Sequence, residues 1–233
     1  MAALLEVEGL QAWYDESHVL HGVDLHVDAG ETICILGRNG MGKTTTLRAI
    51  MGILGKREGR IAFAGHDLMA LPLHRVARTG LGFVPEERGI FATLTVEENL
   101  MLPPVVAEGG MSVADIYDLF PNLKERRRSS GMKLSGGEQQ MLAMARILRT
   151  GASCLLLDEP TEGLAPVIIQ NIGTILHELK SRGMTIVLVE QNFRFASRVA
   201  DRFYLMDHGR ITKTFPVSEL EANMTMLNAE LGV

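Results

Sequence analysis

Residues 32–44 read Thr-Ile-Cys-Ile-Leu-Gly-Arg-Asn-Gly-Met-Gly-Lys-Thr and contain the strongest structural signal in the chain. Its first five residues are almost entirely apolar, as in a strand buried on both faces of a parallel sheet. The next eight match the pattern G-x-x-x-x-G-K-S/T, which requires a strand before it and a helix after it. A helix is predicted over 42–51, and Gly52 ends it. The stretch therefore predicts a strand, a glycine-rich turn and a helix that together hold phosphate groups.

The glycine-rich turn has the chemistry of a phosphate cradle. Its glycines let successive backbone N–H groups point inward, and the helix N-terminus adds partial positive charge. We expect the Lys43 ammonium to reach the β- and γ-phosphates and the Thr44 hydroxyl to bind Mg²⁺. The predicted nucleotide-binding residues here are Gly37, Arg38, Asn39, Gly40, Met41, Gly42, Lys43, Thr44 and Thr45.

A second apolar strand, predicted over 154–157, ends in the acidic pair Asp158-Glu159. The Asp158 carboxylate is expected to hold Mg²⁺, either directly or through water. Glu159 is the candidate to orient and polarise the attacking water. An acidic pair at a strand end is also a common loop start, but the upstream cradle favours the catalytic interpretation.

Outward from these two strands, the chain alternates between strand and helix signals. Further strands are predicted over 5–7, 23–27, 60–63, 82–84 and 185–189, with a hairpin formed by 203–206 and 210–212. The segment 95–149 is predicted to be mainly helical, because capping boxes begin at Thr95 and Ser112. Strands that alternate with helices indicate an α/β fold with a mainly parallel sheet covered by helices.

Length and composition limit the class of protein. The 233 residues fit one domain, 46% of them are apolar, and the net charge is −5, which argues against a nucleic-acid-binding face. Cys34 and Cys154 lie in apolar runs and are predicted to be buried and unpaired. No signal-peptide pattern and no apolar run of about 18 residues is present, so a soluble chain is expected, with any membrane role exerted through a partner.

Residues 134–140, Leu-Ser-Gly-Gly-Glu-Gln-Gln, form a second candidate anion site. Ser135 and Glu138 have capping-box spacing, so a helix is predicted to begin there, with two glycines leaving its N–H groups uncovered. This stretch, some 20 residues before the Asp158-Glu159 pair and downstream of the cradle, resembles the signature of the ABC ATPases. The resemblance spans nearly the whole chain.

The resemblance implies an ABC-type P-loop NTPase fold: a mainly parallel core, an antiparallel β subdomain and a helical subdomain. Residues 1–86 and 150–233 would form the core with its N-terminal β part, and 87–149 the helical subdomain with the signature. Two chains would pack head to tail, so that Ser135 and Gly137 contact the ATP held by a partner chain. Tyr14 is implied to stack on adenine, with Trp13 as the less suitable choice.

Three positions differ from the common ABC pattern. Glu86 replaces the usual glutamine and is implied to contact Mg²⁺ or its water; Ala165 replaces an aspartate; and Gln191 replaces the switch histidine. Gln191 can donate a hydrogen bond to the γ-phosphate but cannot titrate. Together these residues resemble the ATP-binding subunits of branched-chain amino acid importers, and urea-type importers are similar.

That resemblance implies ATP and Mg²⁺ as cofactors and a set of protein partners. These are a second ABC ATPase chain, in a homodimer or a heterodimer, integral membrane permease subunits and, indirectly, a solute-binding protein. The chain is implied to be cytoplasmic and peripheral on the inner face of the membrane, without a nucleic-acid partner. The permeases and the binding protein select the solute, so its identity stays open here. The alternatives are a non-transport ABC module and a non-catalytic nucleotide-binding subunit.

Overall fold

The computed structural model describes residues 3–231, which form ten strands and nine α-helices. The strands are β1 (Leu5–Tyr14), β2 (Ser17–Val27), β3 (Thr32–Leu36), β4 (Lys56–Phe63), β5 (His66–Asp67), β6 (Leu81–Val84), β7 (Cys154–Asp158), β8 (Thr185–Glu190), β9 (Arg202–Asp207) and β10 (Arg210–Pro216). The helices are α1 (Lys43–Ile50), α2 (Leu73–Val76), α3 (Val96–Met101), α4 (Val113–Leu119), α5 (Pro121–Glu125), α6 (Gly136–Leu148), α7 (Pro166–Ser181), α8 (Phe193–Val199) and α9 (Leu220–Leu231).

The strands form two sheets. The larger sheet has the order β10-β9-β3-β8-β7-β6 and is parallel except for β10, which pairs antiparallel with β9. The smaller sheet, β2-β1-β4-β5, is antiparallel. The expected α/β fold with a mainly parallel sheet and an antiparallel part is confirmed.

The sheet order brings three loops to one edge. Strands β3, β8 and β7 are neighbours, with Leu36 beside Glu190 and Asp158 beside Val189. Because parallel strands end at the same edge of a sheet, the loops that follow all three strands meet there. These loops contain the cradle, the acidic pair and the predicted switch residue.

Strand β3 is buried on both faces, as predicted. Ile33 and Ile35 pack into an apolar cluster with α1 and the smaller sheet. Cys34 and Leu36 point to the other face, into a cluster with α6, α7 and α8. The cradle strand is therefore clamped between two cores, which fixes the position of the turn that follows it.

The predicted helix starts at Thr95, Ser112 and Ser135 are confirmed. Each is the N-cap of its helix and forms a complete capping box with an acidic residue three positions later. The predicted strands over 5–7, 23–27 and 60–63 proved to be the apolar ends of longer strands. One face of that antiparallel sheet carries polar residues, so a search for apolar runs finds only part of each strand.

The remaining sequence predictions concern burial. Cys34 and Cys154 are both buried and unpaired, as expected. Burial also raises the pKa of the Cys154 thiol to about 12. Among residues 3–231, no helix has both the length and the apolar character needed to cross a bilayer.

Candidate functional site

The cradle turn joins the end of β3 to α1, and two of its glycines are required by close approach. A Cβ on Gly37 would lie 2.6 Å from the Met206 carbonyl oxygen. Gly42 has a φ of 106°, and a Cβ there would lie 2.9 Å from Leu20 Cδ2. Any side chain at either position would push the turn away from the strands behind it. The glycines therefore set both the shape of the turn and its fit to the core.

Lys43, the first residue of α1, is almost fully buried and turns back over the cradle. Its Nζ donates to the carbonyl oxygens of Gly37 at 2.8 Å and Arg38 at 3.1 Å. The same ammonium lies 2.9 Å from Glu159 Oε1. One positive charge therefore sits at the centre of the turn, in contact with the predicted catalytic carboxylate.

Thr44 and Asp158 meet across the sheet edge. The Thr44 hydroxyl donates to Asp158 Oδ1 at 2.9 Å. The other oxygen, Asp158 Oδ2, is buried without a hydrogen-bond partner among the described residues. Burial, together with the nearby Glu159 and Glu86 carboxylates, raises the pKa of Asp158 to about 6, although the Thr44 hydrogen bond acts in the opposite direction.

These observations fit a divalent cation. Mg²⁺ prefers oxygen ligands and is usually held by one or two protein groups together with substrate phosphates. The unpartnered Asp158 oxygen and the Thr44 hydroxyl supply such groups, and Thr44 and Glu86 line one cavity beside them. A cation there would stabilise the charged form of Asp158, which burial otherwise opposes.

Glu159 occupies a strained backbone position. Its φ is 43°, in the left-handed region that non-glycine residues avoid. Its N–H donates to the Val189 carbonyl at 3.0 Å, and its own carbonyl accepts from the Glu162 N–H at 3.1 Å. These bonds hold a tight turn that points the Glu159 side chain at Lys43. Strain of this kind is typical of residues whose orientation serves a function.

A cavity of about 220 Å³ lies over the cradle and brings together most of the predicted site. It is lined by Asn39, Gly40, Gly42, Lys43, Thr44, Thr45, Glu86, Glu159 and Glu162. Gly37, Arg38 and Met41 instead line a neighbouring cavity behind the turn, against β9 and the end of α9. These three residues therefore pack the back of the turn against β9 and α9, whereas the front of the turn faces the 220 Å³ cavity.

The predicted adenine platform lies at the end of β1. Tyr14 is 40% exposed, whereas Trp13 is stacked on His18 with ring centroids 4.3 Å apart. Lys56 Nζ lies 4.8 Å from the centre of the Trp13 ring. Since these neighbours already engage the Trp13 ring, the geometry favours Tyr14, as the sequence did. Stacking on adenine stays a prediction.

Ser135, Gly137 and Gln191 do not line the cradle cavity. Ser135 caps α6, donating its N–H to Glu138 Oε2 at 2.7 Å. Gly137 also has a packing role that the sequence does not reveal, because a Cβ there would lie 2.6 Å from Ile168 of α7. Gln191 lines a separate cavity with α9 residues, and its contact to a γ-phosphate stays a prediction.

Three further residues near the cradle, Glu162, Arg48 and Glu190, were not predicted from the sequence. Glu162 lines the cavity, and its pKa is raised chiefly by a hydrogen bond with Glu159. Arg48 forms an ion pair with Glu87 at 3.2 Å. Burial lowers the pKa of Arg48, but interactions with Tyr14, Glu87 and Asp158 outweigh burial, so the pKa is raised overall. Glu190 is buried and bonds to Thr161. No motif marks these residues, because their role depends on which loops meet at the sheet edge.

Fold and site together define a P-loop nucleoside triphosphatase: a phosphate cradle after one parallel strand, and an Asp-Glu pair after a nearby strand of the same sheet. The family model described as "ABC transporter" matches residues 20–162. The chain belongs to the ABC transporter family, and its domain is the ATP-binding ABC ATPase domain.

Curated relatives carry related names. The chain is 38% identical over 232 residues to the "High-affinity branched-chain amino acid transport ATP-binding protein BraG" of Pseudomonas aeruginosa, covering 98% of this chain and 100% of that one. It is 35% identical to the "Probable branched-chain amino acid transport ATP-binding protein LivF" of Archaeoglobus fulgidus, covering 93% and 94%. It is also 34% identical to the "Lipopolysaccharide export system ATP-binding protein LptB" of Haemophilus influenzae, covering 91% and 90%.

Solved structures share the fold. A nucleotide-free ATP-binding cassette from an ABC transporter superimposes with a TM-score of 0.85 at 23% identity, covering 100% of this chain and 99% of that one. A cassette described as dimeric, in a post-hydrolysis state with ADP and phosphate, gives a TM-score of 0.81 at 24% identity, covering 91% and 98%. At these identities the likeness establishes the ABC cassette fold.

Proposed function

We propose that this chain is the ATP-hydrolysing subunit of an ABC importer that powers the uptake of branched-chain amino acids or a related small polar solute. The observation that carries the ATPase part is that Lys43, Thr44 and Glu159 line one cavity, while the buried Asp158 accepts a hydrogen bond from Thr44 beside it. The solute class is supported by the BraG and LivF relatives and by the Glu86, Ala165 and Gln191 variations.

In this proposal the triphosphate lies along the cradle turn, with Lys43 against the β- and γ-phosphates. Thr44, Asp158 and Glu86 hold Mg²⁺, which neutralises phosphate charge when bound. Glu159 accepts a hydrogen bond from the attacking water and orients it toward the γ-phosphate. The Lys43–Glu159 ion pair must open for this, because the phosphates and the water take the place of the contact between these two side chains.

The site is completed by a second chain. Ser135 and Gly137 lie at the N-terminus of α6, a position suited to an anion, yet they do not line the cavity of their own cradle. In a head-to-tail dimer they would cap the γ-phosphate bound by the partner, which would be a second copy or a related ATPase chain. A dimer is also the form in which one solved cassette of this fold is described.

We further propose that 87–149 acts as a helical subdomain that contacts the permease, with 1–86 and 150–233 as the nucleotide-binding core. Within 87–149, apolar side chains that are exposed and available to a membrane partner include Phe91, Met101, Leu102 and Val105. The loop after Glu86 is tied to both parts, through Glu87–Arg48 at 3.2 Å and Arg88–Gln139 at 3.1 Å. A change in the position of Glu86 would thus be passed to α6 through the Arg88–Gln139 hydrogen bond. The chain would then work at the inner face of the membrane.

A second candidate is an export ATPase, which the LptB relative supports. Uptake of radiolabelled leucine by cells that depend on this chain separates the two. If the chain is an importer ATPase, we expect the Glu159→Gln variant to abolish uptake although the variant is expressed at the normal level. Normal uptake in a strain lacking the chain would overturn the branched-chain assignment while leaving the ATPase assignment untouched. Parallel uptake of urea and of an amide tests the related solutes.

A further inference from the structure

Glu190 ends β8 and is 2% exposed, yet its function is not explained by the cradle chemistry. One carboxylate oxygen, Oε1, accepts from the Thr161 hydroxyl at 2.7 Å and from the Thr161 N–H at 3.2 Å. The other, Oε2, accepts from the Asn192 N–H at 3.2 Å. A single buried carboxylate therefore bridges two loops.

The two bridged loops carry the predicted catalytic groups. Thr161 lies two residues after Glu159, in the same tight turn that holds the strained Glu159 backbone. Asn192 follows Gln191 and caps α8 by accepting from the Phe195 N–H at 3.1 Å. The Glu190 bridge thus fixes the turn behind Glu159 to the segment that presents Gln191.

Burying a carboxylate costs desolvation free energy that an apolar side chain would not cost. Burial raises the pKa of Glu190 to about 7 despite the three hydrogen bonds that it accepts. An apolar side chain of similar size would avoid this cost but would leave Thr161 and Asn192 without their acceptor. The group therefore serves the geometry of the two loops rather than the packing of the core.

We propose that Glu190 is a positioning residue for ATP hydrolysis, which holds the Glu159 turn and the Gln191 segment in one fixed arrangement. The inference rests on the proposed role of Glu159. It predicts that damage to the bridge lowers the rate of the chemical step more than it lowers the affinity for ATP, because Glu190, Thr161 and Asn192 all lie outside the lining of the cradle cavity.

The test begins with two substitutions. In Glu190→Gln, the amide NH₂ must face either Thr161 or Asn192, so one donor loses its acceptor. Thr161→Val removes only the hydroxyl. We expect kcat to fall roughly 10- to 100-fold in Glu190→Gln and less in Thr161→Val, with ATP affinity unchanged within about twofold. Thr185→Val is the matched control on the same strand, since Thr185 is equally buried and bonds to Gly30, far from this bridge.

A Glu159→Gln background distinguishes positioning from general damage. If Glu190 acts through Glu159, adding Glu190→Gln or Thr161→Val to Glu159→Gln causes no further fall in the slow single-turnover rate. A kcat equal to wild type in both single variants, or an equal further fall in the Glu159→Gln background, overturns the inference. If Glu190→Gln does not fold, Thr161→Val alone decides. A Glu159→Gln variant as active as wild type overturns instead the proposed role of Glu159.

Discussion

Lys43 Nζ lies 2.9 Å from Glu159 Oε1, with both side chains at least nine-tenths buried. The residue expected to bind the phosphates is thus ion-paired with the residue expected to orient water. An incoming γ-phosphate competes with Glu159 for the same ammonium, so ATP binding and release of the Glu159 side chain are linked.

The Glu159→Gln substitution should separate ATP binding from hydrolysis. Removal of the carboxylate charge frees Lys43 for the phosphates, so we expect ATP affinity to rise several-fold. The lost water-orienting group should reduce phosphate release by about 100-fold or more. Equilibrium nucleotide binding and phosphate release measure the two effects. Equal phosphate release from wild type and variant would remove Glu159 from its assigned role.

Lys43→Met should have the opposite effect on affinity. The loss of the ammonium removes the charge at the centre of the cradle and leaves Glu159 buried without its partner. We expect ATP binding to weaken by roughly 100-fold, which equals about 2.7 kcal/mol. Lys180→Met is the control, because Lys180 pairs with Asp201 on the surface. Similar ATP affinity in both variants would contradict the assignment of Lys43.

Asp158→Asn should change how stability depends on pH in the absence of nucleotide and Mg²⁺. The Asp158 pKa is about 6 in the fold against an ordinary 3.8, so the native state binds the extra proton between these values. The contribution of Asp158 to stability is therefore full below about pH 4 and is lost as pH rises through 6. We expect the variant to gain on the order of 2 kcal/mol over wild type at pH 7.5 and less than half of that at pH 4.5.

Urea unfolding at the two pH values measures this difference. The Thr44 hydroxyl keeps an acceptor in the variant, because the amide oxygen of the new side chain takes the place of the carboxylate Oδ1. A stability difference that stays constant from pH 4.5 to 7.5 would contradict the raised pKa. Glu190, whose pKa is raised in the same direction, contributes equally to both proteins and cancels in the comparison.

Gln191→Ala should weaken hydrolysis more than ATP binding, since the proposed contact of Gln191 is to the γ-phosphate alone. The residue lines a cavity beside α9 and does not line the cradle cavity, so the bound β-phosphate is not expected to depend on it. We expect kcat to fall several-fold with ADP affinity unchanged, as judged by turnover and nucleotide titration. Turnover at the wild-type rate would count against the contact.

The sequence predicts the cradle well because its signal is local: an apolar strand, glycines at fixed spacing and a helix start. Strand β3 and α1 lie where residues 32–51 placed them. The capping boxes at Thr95 and Ser135 are equally local and were found for the same reason. The polar residues of the antiparallel sheet obscured the true length of β1, because its apolar pattern covers only part of the strand.

The sequence did not predict the roles of residues that depend on which loops come together in the fold. Glu190 reads as the polar end of an apolar strand, and only the pairing of β8 with β7 brings it to Thr161. From the sequence, Gly137 is predicted only to expose a backbone N–H. In the fold, the absence of a Cβ at Gly137 also allows Ile168 to pack against it. Both roles arise from contacts between segments far apart in sequence, which spacing alone does not report.

In the proposed dimer, each ATP site combines the cradle of one chain with the signature of another. Mixing two inactive variants of the ATP-hydrolysing chain, Lys43→Ala and Ser135→Arg, tests this arrangement directly. A mixed dimer holds one intact composite site, so we predict that mixing restores about a quarter of the wild-type rate. No recovery on mixing, together with a Ser135→Arg chain that hydrolyses ATP as fast as wild type, would contradict the claim.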